Sequence, residues 1–273
     1  MIRNVLSIAG SDPSGGAGIQ ADLKTFSARG VYGMAVLTAL TAQNTQGVFG
    51  VHLVPAAFVA DQIRAVFADV RVDAVKIGMI ANAEIANAVA DVIEEQGQIP
   101  MILDPVMVAK GGAALLDKSA IEVITRRLLP LAVLLTPNLP EAAALLREDV
   151  AQSREEMADQ AIRLRAIGPK AVLVKGGHLV GEDSPDVLVS AAGLTWFEAS
   201  RIATANTHGT GCTLSSALAA ELAKGTALPT AVADAKLYLA RAIEHSVMLS
   251  VGSGHGPVQH FHELWPLAGG HVD

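Results

Sequence analysis

Short apolar runs alternate with longer stretches of helical period along almost the whole chain, and this constrains its architecture more than any other feature. Val5 to Ala9 reads as a buried strand, and the Gly-rich turn from Gly10 to Gly18 leads into a helix ending near Ala28. An apolar run from Ala35 to Ala42 follows, then a helix from about Pro55 to Asp69 and a strand from Ala74 to Ile77. The alternation continues through a helix near Glu84 to Glu95, a strand from Met101 to Leu103, a helix near Ser119 to Leu129 and a strand from Leu131 to Leu135. Helices around Glu141 and from Glu155 to Ala166, a strand from Ala171 to Val174, a hairpin across Val187 to Phe197 and two long helices complete the pattern. It predicts one α/β domain over residues 1–273, with a mostly parallel central sheet, helices on both faces, and ligands outside the carboxyl ends of the strands.

Composition agrees. The chain is 51% hydrophobic but only 4% aromatic, so its core must be built from Ala, Val, Leu and Ile, as in sheets packed under helices. A formal charge of -7, with no basic cluster interleaved with aromatics, argues against nucleic acid. The single cysteine, Cys212, excludes an internal disulfide and a multi-cysteine metal site. No apolar run reaches the roughly 18 residues of a membrane span, so a cytoplasmic protein without a membrane partner is expected.

The segment Asn206-Thr207-His208-Gly209-Thr210-Gly211-Cys212 runs into a strongly helix-forming stretch, which puts its glycines at a helix amino end. Unpaired amides there bind anions, glycines let a phosphate approach closely, and the hydroxyls of Thr207, Thr210 and Thr213 either cap the helix or donate to phosphate oxygens. Taken alone, an ordinary capped turn accounts for the segment equally well.

With Ala9-Gly-Ser-Asp-Pro-Ser-Gly-Gly-Ala-Gly-Ile-Gln-Ala-Asp-Leu-Lys-Thr-Phe26, the loop resembles the ribokinase superfamily, and within it the hydroxymethylpyrimidine/phosphomethylpyrimidine kinases. The amino-terminal segment lacks the terminal Gly-Lys-Ser/Thr of a nucleotide P-loop, so that reading is rejected. The resemblance implies a ribokinase-like fold in which Gly209, Thr210 and Gly211 surround the migrating phosphoryl group. Cys212 occupies the place where most of the superfamily carries an acidic base, a departure shared with the pyrimidine kinases and some pyridoxal kinases. A helix amino terminus lowers a thiol pKa, so a thiolate able to accept the substrate hydroxyl proton is expected; the competing reading is an inert buried cysteine.

Asp22 lies on the apolar stripe of its helix, between Ile19 and Phe26, and a carboxylate there needs a partner. The resemblance makes that partner the pyrimidine substrate; nearby backbone is the alternative. Gln43 follows a strand, and its amide both donates and accepts, as an aminopyrimidine edge requires, a role the resemblance gives it, with a free loop glutamine as the alternative. By the same resemblance Met79 and Val106 rest against the ring, although without it both read as core.

On the nucleotide side the resemblance gives Lys175, Asn138 and Thr207 to ATP phosphates, and Asp104 and Glu141 to Mg2+, held directly or through water. Each has a plainer reading, Asn138 as a turn residue and Glu141 as an acid favoured in a helix first turn. The closing segment Gly252 to His262 is rich in histidine, for which a surface or packing role is expected rather than metal binding.

The expected activity is therefore ATP-dependent phosphorylation of 4-amino-5-hydroxymethyl-2-methylpyrimidine to its monophosphate and then to the diphosphate used in thiamine biosynthesis, by a homodimer. Pyridoxal kinase and a non-catalytic pyrimidine sensor remain as alternatives.

Overall fold

The computed structural model describes residues 1–107 and 117–265. The strands are β1 (Asn4–Ala9), β2 (Tyr32–Leu37), β3 (Ala39–Asn44), β4 (Gly47–Leu53), β5 (Ala74–Ile77), β6 (Met101–Leu103), β7 (Leu134–Leu135), β8 (Val172–Lys175), β9 (Asp186–Ser190) and β10 (Gly193–Phe197). The α-helices are α1 (Gly18–Ala28), α2 (Ala56–Asp69), α3 (Ala83–Glu95), α4 (Lys118–Val123), α5 (Leu139–Leu146), α6 (Arg154–Ile167), α7 (Thr210–Ala223) and α8 (Leu228–Glu244). Eight strands form one sheet in the order β10-β9-β8-β7-β6-β5-β1-β2. All pairs from β2 to β8 are parallel, and the β9–β10 hairpin closes one edge antiparallel. This is the expected doubly covered, mostly parallel α/β sheet.

Because side chains alternate across a strand, each central strand feeds two cores. Leu6, Ile8, Val75, Ile77, Met101 and Leu103 pack with α2, α3, α5 and α6, whereas Val5, Ala74 and Ile102 pack with α1, α7 and α8. The same alternation carries Ser7 and Lys76, paired across β1 and β5, onto the α1/α7 side. Phe26 of α1 is fully buried there; removing such a side chain from water contributes about 1.5–3 kcal/mol.

The apolar run expected from Ala35 to Ala42 is two strands. The chain turns at Thr38, whose amide bonds Ala9 O and whose hydroxyl bonds Met79 O, so β2 stays in the main sheet while β3 leaves it. β3 pairs antiparallel with β4, a strand absent from the sequence reading, as a separate two-stranded ribbon. Its residues carry little burial signal because most of β4 is exposed. The helix expected to reach Leu129 is α4 followed by a wider turn at Ile124–Leu128 and a tight turn at Leu129–Leu131 containing Pro130. That turn delays the next strand to Leu134–Leu135.

Candidate active site

A cavity of about 520 Å³ opens at the carboxyl ends of the parallel strands. Its wall holds Gln43, Met79, Asp104, Val106, Asn138, Glu141, Lys175, Thr207 and the run Gly209 to Cys212. Residues far apart in sequence converge here because every parallel strand ends on the same side.

The anion-binding end is built by α7. Gly209 is its amino-terminal flanking residue, with φ +78, a left-handed conformation that glycine adopts without steric cost. A Cβ there would lie 1.8 Å from Gly16 O, so the two Gly-rich loops are pressed together at this point. No side chain caps α7, and its first regular bond runs from Thr213 N to Gly209 O. The amides of Gly211 and Cys212 are thereby left without a regular helical partner, and both residues line the cavity. A Cβ on Gly211 would lie 3.4 Å from Lys175 Nζ and 3.7 Å from Asp104 Oδ2, which puts both charges beside the loop.

Lys175 Nζ bonds Asp104 Oδ1 at 2.8 Å and lies 3.9 Å from Glu141 Oε2. Thr136 and Ser215 hydroxyls donate to Asp104 at 3.3 and 3.1 Å. Burial raises the Asp104 pKa, but Lys175 and Lys76 outweigh it and hold the group ionised below the ordinary range. Glu141 goes the other way: burial, with repulsion from Asp104, pushes it up to about 7 despite Lys175. Asn138 and Glu141 form a reciprocal capping box at the start of α5, Asn138 N to Glu141 Oε2 at 2.8 Å and Glu141 N to Asn138 Oδ1 at 2.9 Å. The turn and first-turn readings of these residues therefore hold alongside their place on the cavity wall, and the box leaves Asn138 Nδ2 for a ligand.

At the opposite end, the β3–β4 register shifts between Ala42 and Gln43, and this bulge turns Gln43 toward the cavity. Its Nε2 is 3.3 Å from His208 Nε2, which is also 2.8 Å from Asp12 Oδ2. An ionised carboxylate only accepts, so His208 Nε2 carries the proton and donates it in a hydrogen bond to Asp12 Oδ2, leaving the Gln43 amide available to a ligand.

Two expectations are corrected. Asp22 is absent from the cavity wall and fully buried: it accepts from Ser7 Oγ at 2.6 Å, Ser216 Oγ at 2.7 Å and Lys76 Nζ at 2.9 Å. The partner that its position demanded is an ion pair inside the fold, not a substrate. Cys212, half-buried at the cavity, is not a ready thiolate: burial pushes its thiol up to about 11, although Lys76 and the Gly18 amide pull it down. Removal from water outweighs the helix terminus.

The wall residues to which the sequence analysis gave no role include Asp12, Lys76 and His208. Asp12 organises the amino-terminal loop by accepting from the amides of Ser14, Gly16 and Ala17 as well as from His208. Burial opposes its charge, yet the His208 and Ser14 bonds hold its pKa at about 2. The signal for Lys76 was present, a lysine inside the four-residue apolar run Ala74–Ile77. Of the closing-segment histidines, His260 is buried against Thr213, while His262 packs on the rings of Tyr238 and His245.

A doubly wound sheet whose strand ends present a Gly-rich helix amino terminus beside a Lys–Asp pair defines a phosphotransferase of the ribokinase-like class. The family model described as phosphomethylpyrimidine kinase matches residues 12–259, and the chain belongs to that family. It is 53% identical over 262 residues to the hydroxymethylpyrimidine/phosphomethylpyrimidine kinase of Escherichia coli (strain K12), covering 96% of this chain and 98% of that protein. Among solved structures, phosphomethylpyrimidine kinase from Clostridium difficile 630 superposes with TM-score 0.79 at 43% identity, covering 88% of this chain and 99% of that one. Pyridoxal kinase from Staphylococcus aureus, in complex with AMP-PCP and pyridoxal, gives TM-score 0.88 at 32% identity, covering 97% and 95%.

Proposed function

We infer that this chain catalyses ATP-dependent phosphorylation of 4-amino-5-hydroxymethyl-2-methylpyrimidine, and then of the monophosphate so formed, in thiamine biosynthesis. The observation that carries the reading is the convergence of the Gly209–Cys212 helix terminus, the Lys175–Asp104 pair and Gln43 on one cavity. ATP is the phosphoryl donor. The amides of the loop take the migrating group, with Lys175, Asn138 Nδ2 and Thr207 on the phosphates. Gln43 reads the aminopyrimidine edge, and Met79 and Val106 bound the ring. Cys212 takes the hydroxyl proton through its ionised fraction; a loose transition state asks little of the base.

The donor set also fits Mg2+. Asp104 and Glu141 would supply the carboxylates, directly or through water, with Lys175 within reach of both. Among the described residues no group of three His, Cys, Asp or Glu gathers as a metal cage. When bound, Mg2+ neutralises charge on the nucleotide phosphates.

We assign residues 1–273 to one domain and propose a homodimer. Leu40, Phe49, Val51 and Leu53 make the β3–β4 ribbon an exposed apolar surface for a second copy. Cytoplasmic residence follows as part of this reading; none of the described helices is long and apolar enough to cross a membrane.

The deciding assay supplies ATP, Mg2+ and the aminopyrimidine alcohol and follows monophosphate, then diphosphate, beside a parallel assay with pyridoxal. Pyridoxal turnover equal to or above that of the pyrimidine would replace the assignment with pyridoxal kinase, and tight pyrimidine binding without any turnover would replace it with a sensor. Gln43→Ala is expected to raise the pyrimidine KM by about tenfold, the loss of roughly one good hydrogen bond.

A further inference from the structure

We propose that Lys76, clamped by Asp22, is a positioning residue for phosphoryl transfer, its buried ammonium supplying the positive charge against which the Cys212 sulfur ionises. This assignment rests on the phosphotransferase reading above. A lysine in the centre of a parallel sheet is costly, and a buried ion pair is commonly replaceable by apolar side chains without loss of stability. Stability alone therefore gives a weak account of the cluster, and its position gives a better one.

Lys76 is fully buried, yet it lines the same cavity as Cys212. Both Asp22 oxygens lie 2.9 Å from Nζ, with Ser7 and Ser216 hydroxyls completing the carboxylate shell. Ser216 lies one helical turn after Cys212 on α7, so the clamp is tied to the helix face that carries the sulfur. Gly78 leaves the space: a Cβ there would lie 2.8 Å from Nζ. Lys76 carries three N–H donors, and Asp22 is their hydrogen-bonding partner among the described residues.

Among the described residues, the charges acting on the sulfur come from several elements. They are Lys76 from β5, Asp22 from α1, Asp104 after β6 and Lys175 at the end of β8. The Gly18 amide at the start of α1 adds a smaller influence toward the ionised sulfur. Lys76 heads the influences favouring the ionised sulfur, and Asp22 heads the charges opposing it. In the transfer step the substrate O–H bond breaks and its proton joins a sulfur lone pair. The freed oxygen bonds the γ-phosphorus, and the bridging P–O bond breaks with its electron pair leaving on ADP.

Cys212 is the only cysteine in the chain, so alkylation of the folded, substrate-free protein by iodoacetamide reads this sulfur alone. Lys76→Met is expected to move the pH midpoint of alkylation up by about one unit, slowing the reaction about tenfold at pH 8. Asp22→Asn is expected to move the midpoint down. Opposite shifts are the mark of an electrostatic role, since a packing defect would not give them. An unmoved midpoint in Lys76→Met, or shifts of the same sign in both variants, would overturn the assignment; if Lys76→Met does not fold, an unmoved or raised midpoint in Asp22→Asn does so alone. In turnover, Lys76→Met is expected to lower kcat about tenfold with the pyrimidine KM within about threefold, and a change confined to KM counts against the proposal. Failure of the wild-type protein to form ADP would sink the phosphotransferase reading separately, because alkylation needs neither substrate.

Discussion

Single side chains in this site are governed by how water is excluded from them. Cys212 and Asp12 both lie near helix amino ends, yet burial pushes the thiol up to about 11 while a shell of donors holds the carboxylate at about 2. If Cys212 is the base, kcat/KM should climb as pH rises above 8 and its ionised fraction grows. Cys212→Ser should fold and lose most of kcat with a smaller effect on KM; a flat wild-type profile or an unchanged kcat in the variant removes the base role. His260 gives a stability counterpart. Burial, with Lys24 and His262 nearby, lowers its pKa from the ordinary 6.5 to about 3, so it is neutral when folded. The unfolded chain takes up the proton first, so the stabilisation is complete above about pH 6.5 and declines as pH falls toward 3. Thermal unfolding of His260→Gln should show a shallower loss over that interval than the wild type.

At the scale of elements, the site depends on two loops braced against each other and on the helices they start. Thr213 donates its hydroxyl proton to Gly209 O, so His260 Nε2 must be the donor to the Thr213 oxygen, and the closing segment thereby steadies the anion loop. Gly209→Ala brings a Cβ into Gly16 O at a backbone angle that costs an ordinary residue about 1–2 kcal/mol before any clash. Calorimetry should register at least that loss, with phosphoryl transfer falling further than pyrimidine binding; wild-type stability would show that the loops separate easily. These elements were only partly legible in the sequence. The Gly-Thr-Gly-Cys loop and its helix were apparent from glycine spacing, but the bracing by Asp12 and His208 joins residues 196 positions apart, and no local pattern records such a pair.

For the molecule as a whole, the exposed β3–β4 ribbon is the feature with no internal explanation, since Phe49 is 70% and Val51 47% exposed. Phe49→Glu combined with Val51→Glu should convert a dimer to a monomer in light scattering without changing the secondary-structure content seen by circular dichroism. A wild-type protein that is monomeric at micromolar concentration rules out this surface as the dimer contact.

The alternating apolar runs determined the layered α/β sheet and the sequence order of its strands and helices, because burial on both faces leaves a periodic trace that local reading recovers. Glycine, proline and cap residues likewise marked the strand ends that line the cavity. Tertiary structure decided what the charges do there. Asp22 was visible as a carboxylate needing a partner, but only the pairing of β1 with β5, and the packing of α1 and α7 over them, made that partner Lys76 rather than a ligand. Cys212 was visible at its helix start, but its protonation depends on the water and charges removed or gathered around it by segments distant in the chain. Periodicity records which residues are buried; the free energy of a buried charge depends on what is buried beside it.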